Sequence, residues 1–262
     1  MKMLSVIVPA YRQEKTIGKT IQSLYSTLKS SRYDYEIIVV VDGTNDKTFS
    51  EAKKRETRKI KVIGYPDNSG KGYALRYGMA RSHGDVVAFI DGGTDLNPAS
   101  LNMLLSHFEW YKADIMVGSK WHPVSIVEYP WWRKILSKGY GFYVWMLFGL
   151  RVRDTQLGMK LFRRNVLEDV LPRLLVKKFA ADIEMLAVAN RLGHSRIYEA
   201  PIELHWREIE SNINHNLLGT IWDMFLDTLM VFYRLKIIKY YDNASKRKWR
   251  YDPDLNFRVN VG

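Results

Sequence analysis

The sequence predicts an α/β fold in which a mostly parallel sheet is flanked by helices. Two observations support this prediction. Short apolar segments rich in β-branched residues alternate five times with segments of helical periodicity between Leu4 and Gly118. These apolar segments end at polar or turn-forming residues. The carboxyl ends of parallel strands are the edge at which open α/β sheets bind their ligands.

The elements follow one another in a regular order. The predicted strands are Leu4–Val8, Tyr35–Val41, Ile60–Tyr65, Val86–Ile90 and Asp114–Gly118. The predicted helices between them are Thr16–Leu28, a short charged helix that ends near Arg55, Tyr73–Ser82 and Pro98–Trp110. The strand at Val86–Ile90 is apolar throughout, which is typical of a central strand covered on both faces.

The second half of the chain has a different pattern. It predicts a loop and short strand in Asp154–Arg164, a helix in Val176–Arg191, an interrupted strand in Ser195–His205 and a long apolar helix in Leu217–Tyr241. The polar and basic tail, Asn243–Gly262, is predicted to be loosely ordered. The last long helix is predicted to be an amphipathic interface helix.

Composition limits the function classes. The chain has 262 residues, 47% of them hydrophobic, a formal net charge of +12 and no cysteine. The absence of cysteine excludes disulfides and thiolate metal sites. The basic excess favours an anionic partner such as nucleic acid, anionic lipid or a phosphorylated substrate, and a basic surface that only confers solubility is the alternative. The longest uncharged run, Gly139–Leu150, is shorter than the roughly 20 residues of a spanning helix, so we expect no transmembrane segment.

Two carboxylates follow the central strand. Asp91 ends the apolar run, two glycines and a threonine come next, and Asp95 closes the segment. Carboxylate oxygens at this edge suit a hard divalent cation such as Mg²⁺ or Mn²⁺. Aspartate and glycine are also common turn residues, so a purely structural turn is the alternative.

Other strand ends add candidate ligand contacts to the same crevice. Tyr11 is placed to stack on a base, Asp42 to accept hydrogen bonds from base N–H groups, and Lys71 to approach a phosphate. Each of these residues is equally well explained as a packing residue or a solvated loop charge. The glycine-rich dinucleotide fingerprint and the P-loop motif are missing from the sequence.

Aromatic and basic residues are interleaved in Glu128–Leu150. This segment fits a buried core, an oligomer interface or a helix in a membrane interface, where tryptophan, tyrosine and basic residues are favoured. Together with Leu217–Tyr241 it predicts membrane contact, and a soluble dimer interface is the main rival.

These motifs, taken in order, resemble the family 2 glycosyltransferases with a GT-A (Rossmann-like) fold, and among them the polyprenyl- and dolichyl-phosphate sugar synthases. The resemblance covers roughly residues 4–210. It is carried by VIVPAYRQEKTI (6–17), EIIVVVDGTNDKT (36–48), NSGKGYALRYGMARSHGDVVAFID (68–91), VGSK (117–120), RKILSKGYGF (133–142), DTQLGMKLF (154–162) and DIE (182–184).

The resemblance implies transfer of a monosaccharide from a nucleotide sugar to a polyprenyl phosphate, with inversion and with Mg²⁺ or Mn²⁺. It implies donor contacts at Pro9, Ala10, Tyr11, Glu14, Asp42, Lys71, Asp91, Gly92 and Arg207, and metal ligands at Asp91 and Asp95. It implies that Lys120 and Arg133 grip the acceptor phosphate and that Asp182 is a catalytic-site acid near the acceptor. Because a phosphate monoester is already largely ionised at neutral pH, we expect Asp182 to orient those two cations, and a general base is the less favoured alternative.

One departure from the family pattern bears on the metal site. The second aspartate of the D-x-D motif is Gly93 here, so we expect Asp95 to replace it. Two other functions remain as alternatives: a family 2 transferase acting on a soluble or polymeric glycan, and a catalytically silent nucleotide-binding scaffold.

The resemblance also predicts the organisation of the chain. We expect a catalytic domain in residues 1–210, divided into a nucleotide-sugar half (1–120) and an acceptor half (121–210) with an interface helix at about 128–150. Residues 211–262 are expected to form the C-terminal interface helix and tail. We expect a peripheral protein at the cytoplasmic face of a membrane, with no nucleic-acid partner and with an oligomer possible.

Overall fold

A seven-stranded sheet forms the centre of the protein. The computed structural model describes residues 3–128, 130–176, 180–205, 217–242, 249–253 and 257–260. The strands are β1 (Met3–Ala10), β2 (Asp34–Asp42), β3 (Ile60–Tyr65), β4 (Val86–Ile90), β5 (Ile115–Ser119), β6 (Ile126–Glu128), β7 (Met159–Arg163), β8 (Ile197–Pro201), β9 (Glu203–His205), β10 (Trp249–Asp252) and β11 (Phe257–Asn260). The central sheet has the order β3-β2-β1-β4-β7-β5-β8, and β6 pairs with β9 beside it.

Helices cover both faces of this sheet. They are α1 (Ile17–Lys29), α2 (Thr48–Lys53), α3 (Lys71–Met79), α4 (Ser100–Trp110), α5 (Trp131–Phe148), α6 (Arg164–Val170), α7 (Ala181–Arg191) and α8 (Leu217–Phe232). The apolar residues of α1 and α4 share one buried cluster with one face of the sheet. Those of α3, α6 and α7 share a second cluster with the other face. This three-layer packing explains why β2 and β4 are nearly continuous apolar runs.

Strand β7 is antiparallel to both of its neighbours in the sheet. It pairs antiparallel with β4, where Ile90 lies opposite Met159, and antiparallel with β5. The five strands predicted in the first half of the chain are confirmed, but β4 and β5 are not adjacent because β7 lies between them. Since both neighbours are antiparallel to β7, the carboxyl ends of β4 and β5 and the start of β7 meet at one edge.

Some predicted elements have other limits. The helix predicted for Val176–Arg191 begins at Ala181, and α8 ends at Phe232, where a π-helical turn, Tyr233–Ile237, continues it. Helix α5 ends at Phe148 and is capped by Gly149, whose φ of 66° is in the left-handed region. The prediction of a loosely ordered tail is wrong for β10 and β11, which form an antiparallel hairpin with alternating aromatic or apolar residues.

A spanning helix was not expected, and the part of the chain that the structure describes contains no helix long and apolar enough to cross a membrane.

Candidate active site

The crevice lies where the strand order changes direction. From β1 the sheet continues through β2 and β3 on one side and through β4 on the other, so the ends of β1 and β4 border a topological switch point. The two ends are closely packed. A Cβ added at Gly92 would lie 2.3 Å from Gln13 Oε1 and 2.9 Å from the Pro9 carbonyl oxygen. Only glycine fits at this position without a shift of its neighbours.

Asp42 holds the loop that leads into α3. It is 3% exposed, and its two oxygens accept hydrogen bonds from the Ser69 amide at 2.7 Å and the Gly70 amide at 2.9 Å. Gly70 has a φ of 88°, which favours glycine, and α3 begins at the next residue, Lys71. The structure therefore gives Asp42 a role in positioning Lys71, and its contact with a base stays a prediction.

Lys71 joins two carboxylates from different elements. Its Nζ lies 2.9 Å from Asp91 Oδ1 at the end of β4 and 2.9 Å from Asp182 Oδ2 at the start of α7. The other oxygen of Asp182 lies 2.6 Å from Nζ of Lys160, a buried residue of β7. Sequence reasoning missed Lys160, although it belongs to the quoted motif DTQLGMKLF.

The charged groups of this cluster shift one another's pKa values. Burial by itself raises the pKa of Asp182, but Lys160 and Lys71 outweigh it and hold that pKa below its ordinary value. Burial lowers the pKa of Lys71, yet Asp182 and Asp91 raise it above the usual range. The pKa of Lys160 is lowered, because burial outweighs Asp182. Asp182 is therefore an ionised partner of two ammonium groups rather than a free base.

Asp91 is held from the β7 side. Its amide donates to the Gly158 carbonyl oxygen at 2.8 Å, and a Cβ added at Gly158 would lie 1.9 Å from Asp91 Oδ2. The start of β7 thus packs directly on the carboxylate predicted to bind metal. The absence of a side chain at Gly158 leaves room for it.

Asp95 lies four residues after Asp91, in the loop that follows β4. It is half-buried, and its carbonyl oxygen accepts a hydrogen bond from the His205 amide at 2.9 Å. The His205 ring contacts Glu128 at 2.8 Å and Glu203 at 2.7 Å. Among the described residues no group of three or more acidic, histidine or cysteine side chains is arranged to hold a metal ion. The shared use of Asp91 and Asp95 stays a prediction.

Lys120 follows β5 at the same edge and is paired. Its Nζ lies 2.7 Å from Asp154 Oδ2, and its amide donates to that oxygen at 2.9 Å. Lys120 and Lys134 line a cavity of about 200 Å³. Trp121, Ser125 and Val127 complete its lining. Lys134 was not predicted.

Arg133 lies at the start of α5. It is buried, and its guanidinium lies 4.7 Å from the centre of the Trp132 ring. The oxygens of Asp182 accept from Lys71 and Lys160, whereas Lys120 pairs with Asp154. The expectation that Asp182 orients Lys120 is therefore wrong, and an orienting contact with Arg133 stays a prediction.

The remaining predicted donor contacts differ in their exposure. Tyr11 is half-buried, with the Arg12 guanidinium 5.2 Å from its ring centre. Glu14 is exposed and accepts a hydrogen bond from the Lys47 amide at 3.2 Å, which places it at the start of α2. Ala10 is buried in β1. The predicted contact Arg207 lies outside the described residues.

Comparison with known proteins identifies the family. The model for Glycosyl transferase family 2 matches residues 5–171. The chain belongs to this family. A dolichyl-phosphate beta-glucosyltransferase from Drosophila melanogaster is 32% identical over 225 residues, which are 80% of this chain and 68% of that protein. The Homo sapiens protein of the same name is 33% identical over 227 residues, 80% of this chain and 69% of its own.

The fold of this family 2 glycosyltransferase also matches solved structures. Glucosyl-3-phosphoglycerate synthase from Mycobacterium tuberculosis, in complex with Mn²⁺, UDP and glucosyl-3-phosphoglycerate, superposes with a TM-score of 0.68. The two chains are 21% identical, and the match covers 99% of this chain and 86% of the other. The expected GT-A fold is confirmed.

One loop of the glycosyltransferase contacts residues at the ends of both β4 and β5. In residues 154–158, Asp154 holds Lys120 and Gly158 packs on Asp91, and two residues later Lys160 reaches Asp182. Sequence reasoning used this segment as a family marker and assigned no role to its residues. The charged residues Asp154 and Lys160 were the signal that the sequence offered. Their roles could not be assigned because the residues with which they pair are distant in sequence.

The glycosyltransferase exposes a broad apolar surface on α5 and α8. Tyr140 and Thr228 hydroxyls lie 2.7 Å apart, and the rings of Tyr143 and Phe225 stack at 4.1 Å, so the helices lie side by side. Exposed large side chains on these helices and the π-helical turn form what we call the apolar face: Trp131, Ile135, Leu136, Phe142, Trp145, Met146, Ile221, Trp222, Phe225, Leu226, Leu229, Met230, Tyr233 and Ile237. Exposed apolar surfaces of this extent are typical of interaction sites.

Proposed function

We propose that this glycosyltransferase moves a monosaccharide from a nucleotide sugar to the phosphate of a polyprenyl phosphate, with inversion. The names of the curated relatives support this acceptor and make UDP-glucose the first donor to test. One observation carries the proposal: a cavity lined by Lys120, which follows β5, and by Lys134 of the exposed helix α5 lies at the sheet edge where β4 ends in Asp91.

The topology supports a shared reaction site. Asp91 ends β4 and Lys120 follows β5, and these two ends lie at the same edge because both strands are antiparallel to β7. The donor is proposed to bind at the β1 and β4 ends and the acceptor phosphate in the cavity lined by Lys120 and Lys134. The loop that holds both Lys120 and Asp91 would keep donor and acceptor in a fixed relation, which favours reaction.

A divalent cation, Mg²⁺ or Mn²⁺, fits the donor end of this site. Asp91 already accepts a cationic group there, the ammonium of Lys71. Asp91 and Asp95 would hold the ion through carboxylate oxygens, which such cations prefer. When bound, the ion supplies Lewis-acid stabilisation of the diphosphate leaving group.

The acceptor needs positioning more than deprotonation. A phosphate monoester is already largely ionised at neutral pH, with a second pKa of about 6. The buried carboxylate of Asp182 is engaged by Lys71 and Lys160 on both oxygens, so its proposed role is to orient Lys71. Lys120, Lys134 and Arg133 are proposed to neutralise and align the acceptor phosphate.

The apolar face is proposed to dock on the cytoplasmic face of a membrane. The exposed Lys134 and Trp131 at the start of α5 match the pattern of a helix in a headgroup layer. In this proposal, residues 1–120 bind the donor, 121–210 bind the acceptor, and 211–262 add the second interface helix. A lipid acceptor would enter the cavity from the bilayer side.

Transfer assays test the proposal. Purified protein is incubated with Mn²⁺ or Mg²⁺ and a panel of radiolabelled nucleotide sugars that begins with UDP-glucose. One arm contains vesicles with polyprenyl phosphate, one contains vesicles without it, and one contains 3-phosphoglycerate. A labelled lipid that requires polyprenyl phosphate and metal is expected.

The phosphoglycerate arm tests a second candidate. The cavity of about 200 Å³ is also large enough for a small phosphorylated acceptor, and the solved neighbour is a phosphoglycerate-glycosylating enzyme. Product in that arm, with no lipid-dependent product across the panel, would replace the lipid acceptor by a soluble one.

A further inference from the structure

Lys71 bridges two carboxylates that differ in burial. The side chain of Asp182 is 6% exposed, and that of Asp91 is 45% exposed. Breaking the contact with Asp182 would leave a buried carboxylate paired with the ammonium of Lys160. Breaking the contact with Asp91 would return a half-exposed carboxylate to water. The second change costs less, because desolvation strengthens the dependence of a charge on its partner.

Lys71 contacts one oxygen of Asp91, and the backbone of Gly158 lies against the other. Asp91 Oδ2 faces the backbone of Gly158, where even a Cβ would lie at 1.9 Å. Asp91 Oδ1 is engaged by Lys71 at 2.9 Å. Two cations that approach the same oxygen at such distances repel each other strongly in a partly desolvated cleft.

We infer that Lys71 is a built-in counter-ion that a divalent metal displaces from Asp91, while Asp182 keeps the released ammonium in the cleft. This inference rests on the proposed function, since it takes Asp91 as a metal ligand. Lys71 is a positioning residue here. It opposes metal binding to the free protein and becomes available to the diphosphate of the donor.

The inference predicts opposite effects on two binding equilibria. Without nucleotide, Lys71 and the metal compete for one oxygen, so removal of the ammonium should tighten metal binding. With a nucleoside diphosphate present, the displaced ammonium gains an anionic partner, so its removal should reduce the benefit that the nucleotide gives to metal binding. Such coupling is reciprocal between the two ligands.

Direct Mn²⁺ titration, followed by the EPR signal of the free ion, tests this without any catalytic readout. The variants are Lys71→Met and Lys71→Gln, where glutamine retains a hydrogen-bond donor for Asp182. Lys71→Arg serves as the charge-preserving rescue, and Lys19→Met, at an exposed position of α1, is the matched control. Thermal unfolding and circular dichroism verify the fold of each variant.

We expect the two neutral variants to bind Mn²⁺ about tenfold more tightly than wild type in the absence of nucleotide. Lys71→Arg and Lys19→Met should stay near wild type. Adding UDP should strengthen Mn²⁺ binding more in wild type than in Lys71→Met. Unchanged or weaker Mn²⁺ binding in the folded neutral variants overturns the inference.

Asp91→Asn separates this inference from the proposed function. If Asp91→Asn loses Mn²⁺ binding while the Lys71 variants bind it as wild type does, the counter-ion inference fails and the metal assignment stands. If Asp91→Asn binds Mn²⁺ as wild type does, the metal is held elsewhere, and both the counter-ion inference and the assignment of Asp91 as a metal ligand fail.

Discussion

The cleft and the apolar face are built in opposite ways. In the cleft the charged groups are paired within 3 Å, as Lys71, Lys160 and Lys120 are with Asp182 and Asp154. On α5 and α8, large apolar side chains such as Trp222 are exposed. A paired, buried cluster keeps a fixed geometry, whereas an exposed apolar surface has free energy to gain from a partner. The first therefore suits chemistry and the second suits docking.

The largest expected effect is on the two carboxylates that we propose as metal ligands. Asp91→Ala and Asp95→Ala should each reduce metal-dependent kcat/KM by about 10³-fold, because stabilisation of the leaving group is lost. Steady-state transfer assays over a range of Mn²⁺ concentrations measure this. Activity near wild type in Asp95→Ala would show that Asp95 does not replace the missing second aspartate.

The next largest effect is expected on the free energy of unfolding when the buried ion cluster around Asp182 is disrupted. Asp182→Asn should cost about 3 kcal/mol of unfolding free energy at neutral pH, because Lys160 would lose its carboxylate partner. The pKa of Asp182 is depressed in the folded protein, so the contribution of the carboxylate is present above its ordinary pKa of 3.8 and is lost as the pH falls further.

Urea unfolding at neutral pH and at pH about 3 measures this difference. The difference in unfolding free energy between wild type and Asp182→Asn should be smaller at the lower pH. An equal difference at both pH values would mean that the ionised carboxylate is not the source of the stability.

Membrane docking provides the contrasting test. Trp222→Glu should weaken vesicle binding by about tenfold, since an exposed apolar side chain that would enter the headgroup layer is replaced by a charge. Its unfolding free energy should stay within about 0.5 kcal/mol of wild type. Trp110→Glu is the matched control, because Trp110 is 84% exposed on α4, outside the apolar face.

Vesicle flotation with anionic lipid measures binding. Equal loss in both tryptophan variants, or no loss in either, would argue against the apolar face as the docking surface.

A smaller loss of stability than in Asp182→Asn is expected at Gly158, the residue before β7 that packs on Asp91. Gly158→Ala should cost about 2 kcal/mol of stability and reduce activity, because its Cβ would overlap Asp91 Oδ2. Gly139→Ala is the control: a Cβ there meets nothing within 4 Å, and alanine in helix α5 should stabilise the protein by about 0.5–1 kcal/mol. Thermal unfolding of both variants compares them, and equal changes would contradict the close packing at Gly158.

The smallest effect concerns the acceptor phosphate. Arg133→Ala and Lys134→Ala should each raise KM for polyprenyl phosphate by about tenfold, the loss of one charge-assisted contact, and leave KM for the nucleotide sugar nearly unchanged. Two-substrate kinetics measures both constants. Similar increases in the two KM values would place these cations outside the acceptor site.

Much of the fold followed from local sequence patterns. The strands ending at Ala10, Asp42 and Ile90 were predicted to within two residues at their carboxyl ends, because buried strands need unbroken apolar runs and ligand-bearing edges need polar residues. The carboxylates at this edge were found for the same reason. The helix before Arg191 was predicted to begin too early, since nothing in the local pattern marks Ala181 as its first residue.

The sequence by itself determined the α/β layering, the acidic edge at Asp91 and the aromatic-basic helix, because each depends on residues close together in the chain. Tertiary structure decided that β7 enters the sheet antiparallel between β4 and β5, and that Lys71 and Lys160 share Asp182. Strand insertion and the choice of ion-pair partners depend on contacts between distant segments. Their free energy comes from packing and desolvation in the assembled fold, which no local pattern encodes.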